Sequence, residues 1–465
     1  MNRVGIAALL AALSVSCSPS AQRSERPAAP APEPGPAAAP SAPAAKASPK
    51  GADPALQAKL GEALRYVAEI RGLSALKPVE GQLIGRTEIA TYVQQQLDEE
   101  TPLDVLAATE AMLFGFGSVE ATFEYRATVI SLMTSQLLGF YDPKQKTFFV
   151  GGDLSGEEAD ATLWHELVHA LQDQHYDLSH VTDWQPDQGD RQAAVHALAE
   201  GDATSAMLDA MLKPRGSTAL DLPEGLMRAE SVFGSAALQA PPILVRSLVA
   251  PYIDGLAFTN FLRRRGGFPA VDAAWRALPA TTEQLLHPDK YFAHEPPLDV
   301  PIPERPQFAA DLEERFHDVM GEQTLRLLLE EWLPARTAAL AASDWGGDRL
   351  AVFSDASRKR WAVAWHLRFD TPAAAERALL AFARSAPATD RSRARPATEN
   401  PPPPLTRVPG DKLCLPRHSN GPLALVRRGR DLAVTLGPFE RNSVAVAADP
   451  GCTAVSGWAM QIVTR

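Results

Sequence analysis

Cysteine is nearly absent from this chain: there are three in 465 residues, at Cys17, Cys414 and Cys452. So few cysteines exclude a multiply cross-linked scaffold. Basic charge is in deficit as well, with 45 Lys and Arg against 56 Asp and Glu and a net charge of −11. A nucleic-acid partner is thereby excluded, because binding phosphate needs a basic footprint. The run Arg263-Arg264-Arg265 reads as a solvated helix end and does not reverse that balance. No repeat with a period of about 20–50 residues is visible, which excludes solenoid and propeller arrays. The N-terminal apolar run, Val4 to Val15, is too short to span a bilayer as a helix. What the chain does have is 45% apolar residues, enough for a sizeable core and two or three domains.

Arg3 followed by that apolar run fits the start and core of a secretory signal. Cys17 comes next, and the segment resembles the lipobox of bacterial lipoproteins, whose cysteine becomes the lipidated first residue. It departs at Ser14, where leucine is usual, and the alternative is plain cleavage without lipid. The expectation is an exported protein of the cell envelope, membrane-anchored through Cys17. Residues 18–51 are mostly Ala, Pro and Ser and cannot bury a core, so they read as an extended tether. If Cys17 carries lipid, two cysteines remain. An oxidising compartment permits a Cys414–Cys452 disulfide; two buried free thiols are the alternative.

From about 53 to 135 the apolar spacing is helical, as in "LQAKLGEALRYVAEIRGL". In "GFYDPKQKTFFVGG" an Asp142-Pro143 turn between apolar stretches predicts a hairpin. Ser155 and Glu158 form a capping-box pattern, which predicts a helix from near 156. Helices resume through about 212 and again over 241–278. After 343, "DRLAVFSD" and "RWAVAWHLRF" read as strands, "PAAAERALLAFARSA" as a helix, and "PLALVRRGRDLAVTLG" as further strand. The expected architecture is α+β. A mainly helical unit over 52–340 carries a small antiparallel sheet, and a smaller α+β region follows over 341–465.

"TLWHELVHALQDQ" carries the chemistry. A step of four returns to nearly the same helix face, so His165 and His169 can present two imidazoles to one ion. Glu166 lies about 100° to the side, where it can take a proton from metal-activated water. A tetrahedral catalytic site needs a third protein ligand. Glu200, on the apolar helix "QAAVHALAEGDATSAML", follows His169 at a distance that lets the chain turn back. His175 and His180 are rivals, but the first points the wrong way and the second lies beyond the helix. Asp173 and His196, each one turn from a ligand, are candidates to orient the ligands.

H-E-x-x-H followed at this distance by glutamate resembles the zincin metallopeptidases, in the branch with a glutamate third ligand (gluzincins). The ordered set "FYDP", "HELVHALQDQ", "ALAEGDAT" and "TTEQLLHPDKY", from about 138 to 291, looks like that of largely uncharacterised exported bacterial proteins of metallopeptidase type. "WGGDRLAVF", 345–353, belongs to the same resemblance. It implies Zn2+ on His165, His169 and Glu200, with Glu166 as general base. Several gluzincins carry a carboxylate four residues after the glutamate ligand; this chain has Thr204 there, and Asp202 points to the opposite face. The resemblance also implies an edge strand over the cleft, for which "KTFFVGG" is the candidate, onto which an extended peptide can add. Zincins commonly supply a downstream Tyr or His to the oxyanion, and His287 and Tyr291 are the candidates; the alternative is a structural corner.

The expected function is therefore a zinc metalloendopeptidase acting on peptide or protein substrates outside the cytoplasm. One alternative is a non-catalytic zincin-like envelope protein that binds a partner; another is a hydrolase of a non-peptide amide. An intact Glu166 favours catalysis, since a retired site needs no base.

Overall fold

The computed structural model describes residues 53–136, 139–151, 156–181, 185–223, 240–389, 408–415, 421–441 and 450–465. The signal, Cys17, the tether and the Ser155 cap lie outside them. Among the described residues no helix is long and apolar enough to cross a membrane.

Helix α1, Pro54–Arg71, opens on Asp53, whose side chain accepts from the Ala55 amide, and has proline in its first turn. Both features suit a helix start, and Gly72 in the left-handed region closes it. A short strand β1, Glu80–Ile84, leads to helices α2, Arg86–Glu100, α3, Leu103–Gly115, and α4, Tyr125–Gln136. The expected hairpin follows as β2, Gly139–Asp142, and β3, Thr147–Gly151. Asp142 makes its turn by accepting from the Lys144 and Gln145 amides.

The sheet differs from expectation in two ways. It is mixed, because β1 pairs parallel with β3. Its order is β1-β3-β2, so the "KTFFVGG" segment is the central strand and β2 is an edge.

Helix α5, Gly156–Tyr176, carries the H-E-x-x-H motif. Leu163, Leu167, Val168 and Leu171 bury its inner stripe against Leu60, Leu64 and Val67 of α1 and Tyr141 and Phe148 of the sheet. Each such side chain contributes about 1.5–3 kcal/mol when fully buried. The helix stops at Asp177, whose φ of 52° is a left-handed position that Asp tolerates better than most residues. After the single turn α6, Leu178–Val181, helix α7, Gly189–Leu212, packs back on α5. Helix α8, Pro242–Arg276, lies against α7 and is kinked at Gly266 and Gly267.

The remaining elements are two short helices, α9, Thr282–Leu286, and α10, Pro288–Phe292, then strand β4, Glu313–Asp318, and helices α11, Gly321–Leu329, and α12, Ala335–Ala342. They lead into β5, Trp345–Ser354, β6, Arg360–Phe369, α13, Pro372–Thr389, β7, Lys412–Leu415, β8, Leu423–Arg428, β9, Asp431–Glu440, and α14, Gly451–Val463. The six strands β4 to β9 form one antiparallel sheet of order β4-β5-β6-β9-β8-β7. Helix α14 covers one face, where Trp458 and Ile462 meet Phe353 and Val426. Cys414 on β7 is disulfide-bonded to Cys452 on α14.

The boundary expected near 340 does not divide the molecule there. Strand β4 lies before it and is hydrogen-bonded to β5 after it. The other face of the sheet, including Val352 and Leu425, also shares one core with Ile89 and Val93 of α2 and Leu244 of α8.

Candidate metal centre

The motif helix and the returning helix bring three predicted residues to one point. Nε2 of His165 lies 3.1 Å from Oε2 of Glu200, and Nε2 of His169 lies 3.4 Å from it. The two Nε2 atoms are 3.1 Å apart. A tetrahedral ion with bonds of about 2.0–2.1 Å sets its ligands roughly 3.3 Å apart, so these spacings fit a single small divalent ion. His169 and Glu200 are wholly buried and His165 nearly so. The other oxygen of Glu200, Oε1, has no hydrogen-bond partner among the described residues. Such an atom is costly to bury unless something is to be bound there.

The charges respond to one another. Burial opposes charge on His169, but Glu200 and Glu166 beside it hold its pKa above the ordinary value. Burial opposes charge on Glu200 too, yet His169 and the hydrogen bonds with His165 and His169 hold its carboxyl well below the usual range.

Glu166 sits beside the trio and accepts the Tyr141 amide of β2 at 2.9 Å. The edge strand thus fixes the carboxylate. Asp173 does not orient a histidine, as expected from its spacing. It accepts from the Tyr141 hydroxyl at 2.8 Å and from the Lys146 ammonium at 2.8 and 2.9 Å. It therefore fastens the hairpin to α5 and acts on Glu166 through the strand.

The partner of His169 is Gln172, one turn on, whose Oε1 lies 2.8 Å from Nδ1. The amide oxygen can only accept, so Nδ1 carries the hydrogen and Nε2 is left for a metal. Asp202, pointing away from Glu200, accepts from Gln172 Nε2 at 3.0 Å. His196 stands 3.8 Å from the Oε1 atom of Glu200, too far for a hydrogen bond, and burial pushes its pKa down to about 4. His175 turns away to the Ser74 carbonyl at 2.8 Å. The side chain of His180 lies outside the described residues.

His287 and Tyr291 have other partners. The His287 ring is bound to Glu322 of α11 at 2.8 Å. The Tyr291 hydroxyl donates to the Ala277 carbonyl at 2.8 Å, and its ring meets Phe258 edge-on. Around them, Lys290 is held by Glu283, Glu295 and Asp370 at 2.7, 2.7 and 2.5 Å. Those three carboxylates also have the spacing of a metal trio, but the ammonium already occupies their centre. The segment is a structural corner.

The aromatic residue beside the trio is Tyr252 of α8. Its ring stacks on His165, with centroids 5.8 Å apart and planes 26° apart. Burial pushes its phenol pKa well above the ordinary value, and the Glu200 and Glu166 carboxylates and a hydrogen bond to Glu200 push the same way. The phenol therefore stays un-ionised near neutral pH. It is brought there by a close crossing of α7 and α8 at Gly201 and Gly255, where neither position has room for a Cβ atom.

Residues 308–445 match a family described as a domain of unknown function (DUF8575). The match covers β4 to β9 and stops short of every residue of the trio. Among curated proteins and solved structures, nothing matches the chain.

Proposed function

We propose that the protein is a zinc-dependent metallopeptidase that cleaves peptide bonds outside the cytoplasm, with a zincin-like site of the glutamate-ligand type. The observation that carries this reading is the convergence of His165, His169 and Glu200 at 3.1–3.4 Å, with a fixed carboxylate, Glu166, at their side. Zinc held there would supply Lewis acidity, polarising a carbonyl and acidifying water at neutral pH. Glu166 accepts the proton of the attacking water and returns it to the leaving amine. Tyr252, whose hydroxyl bonds Glu200, can turn that hydrogen to the oxygen that gains charge, a role for which the sequence offered His287 or Tyr291 as candidates. Strand β2 replaces "KTFFVGG" as the edge onto which an extended substrate can add. Export and a lipid anchor on Cys17 rest on the N-terminal sequence pattern.

The test is Glu166→Gln, which keeps size but removes the base. Zinc content by elemental analysis stays at one per chain, while turnover of an unstructured protein substrate such as casein falls by a factor of about 10²–10⁴. Equal turnover in the two proteins overturns the mechanism. Wild-type protein that retains no zinc after dialysis overturns the site.

A further inference from the structure

We propose that helix α1 is a working part of the metal centre. Arg71, its last residue, is a positioning residue that orients His169 through Asp202 and Gln172. This rests on reading the trio as a metal site.

Arg71 is fully buried although its charge favours water. Its Nε donates to Asp202 at 2.5 Å, and a terminal nitrogen donates to Asp272 at 2.7 Å. Asp202 gathers two further donors on its other oxygen, Trp275 Nε1 at 2.9 Å and Gln172 Nε2 at 3.0 Å. The Gln172 amide also donates to the Ala199 carbonyl at 3.0 Å, next to Glu200. With both hydrogens of its amide placed, Gln172 can turn only its oxygen to His169. The chain of contacts runs from α1 to a ligand without a gap, and each member is buried.

What it does follows from hydrogen-bond polarity. A glutamine amide can flip, and the flipped form would present N–H to His169, which then has to carry its hydrogen on Nε2, the atom needed for metal. Asp202, an acceptor only, penalises that flip. Arg71 in turn holds Asp202 aimed at Gln172, since a buried carboxylate without that partner would be free to rotate. Arg71 thus secures the tautomer of His169 that can bind metal.

The experiment measures Zn2+ affinity by competition with a chromophoric chelator, on the full chain, beside the thermal midpoint of the metal-free protein. Gln172→Met weakens zinc about 10–100-fold, the usual effect of losing a ligand's orienting partner. Arg71→Met weakens it about 3–30-fold, as expected for a group acting at one remove. In the double variant the Arg71 step adds nothing, because its route has already been removed. Leu425→Ala, a fully buried change in the C-terminal sheet, lowers the midpoint and leaves affinity unchanged. If Arg71→Met does not fold, Asp272→Asn loosens the same guanidinium from its less buried side and shifts affinity the same way by less. Wild-type affinity in the Arg71 or Asp272 variant overturns the proposal, and so do additive losses in the double variant. Wild-type protein that binds no zinc sinks the metal centre itself, and this proposal with it.

Discussion

Replacing Gly255 by alanine tests how Tyr252 comes to stand beside the trio. A Cβ at position 255 would lie 1.8 Å from the Ala197 carbonyl oxygen and 3.0 Å from the Gly201 amide nitrogen. Real Cβ contacts rarely fall below 3.4 Å, so α7 and α8 must part by about 1.5 Å, the order of one extra methylene layer. The atoms in the way are backbone, which cannot rotate aside. The cost therefore lies at or above the upper end of the roughly 1–3 kcal/mol usual for overpacking. Domains of 150–250 residues lose about 2–4 °C of midpoint per kcal/mol, so a fall of several degrees is expected. The consequence for the site is asymmetric. His165 and His169 are on α5 and Glu200 is on α7, so zinc content holds. Tyr252 is on α8, one turn from the substituted residue, and moves off with its helix. Turnover then falls toward that of Tyr252→Phe, which loses about 10²–10³ in kcat as an oxyanion donor should. Calorimetry, zinc analysis and a peptide cleavage assay on the two variants decide it. A Gly255→Ala protein with an unchanged midpoint refutes the packing argument, and normal turnover in Tyr252→Phe refutes the role given to the tyrosine.

His287→Ala strands the buried Glu322 carboxylate, so the midpoint falls by the equivalent of about 1–3 kcal/mol while zinc content and kcat stay at wild-type values; a loss of kcat at an unchanged midpoint would restore the catalytic assignment. Asp190 is buried between α7 and α9, and burial raises its pKa to about 7 despite hydrogen bonds from Thr282. An acid raised in the folded state contributes stability that is full below the unfolded value of about 3.8 and is lost as pH climbs through about 7. The wild-type midpoint therefore drops between pH 5.5 and 8.5 on this account, and Asp190→Asn flattens that drop; parallel curves would refute it. Reduction of Cys414–Cys452, which closes a loop across a sequence separation of 38, costs about 2–4 kcal/mol by loop entropy. It should lower the midpoint of the C-terminal sheet without releasing zinc, which paired scans with and without reductant would read.

The grouping of His165, His169 and Glu200 was legible because its information is local. Two histidines at a helical step and a glutamate on an apolar, alanine-rich helix need no knowledge of distant packing. The errors arose where partners are far apart in sequence. "KTFFVGG" was the candidate edge on the resemblance, and nothing in the sequence corrected it, since its parallel mate, Glu80–Ile84, is a short "EGQLI" with no alternation to mark it. The domain boundary slipped for a similar reason. Strand β4 reads "EERFHD", charged as an edge strand often is, so it does not announce that the sheet has begun before residue 340.

Tyr252 had a weaker signal that could have been read. Gly201 and Gly255 both interrupt apolar helices, where glycine costs about 1 kcal/mol relative to alanine. One directly follows a proposed ligand, and the other lies one turn beyond a tyrosine. Two such glycines point to a close helix crossing, and a crossing at Gly201 must carry its neighbours to Glu200. His287 and Tyr291 show the opposite difficulty: a histidine before proline and a tyrosine nearby look like donors in any polar corner. What separates a donor to substrate from a donor to the fold is where its partner lies: the hydroxyl of Tyr252 faces Glu200 of the trio itself. The ring of His287 is bound to Glu322 and the Tyr291 hydroxyl to the Ala277 carbonyl, partners that lie on other elements. Accounting for every buried polar atom thus distinguishes the two, and that accounting becomes possible only when the helices are in place.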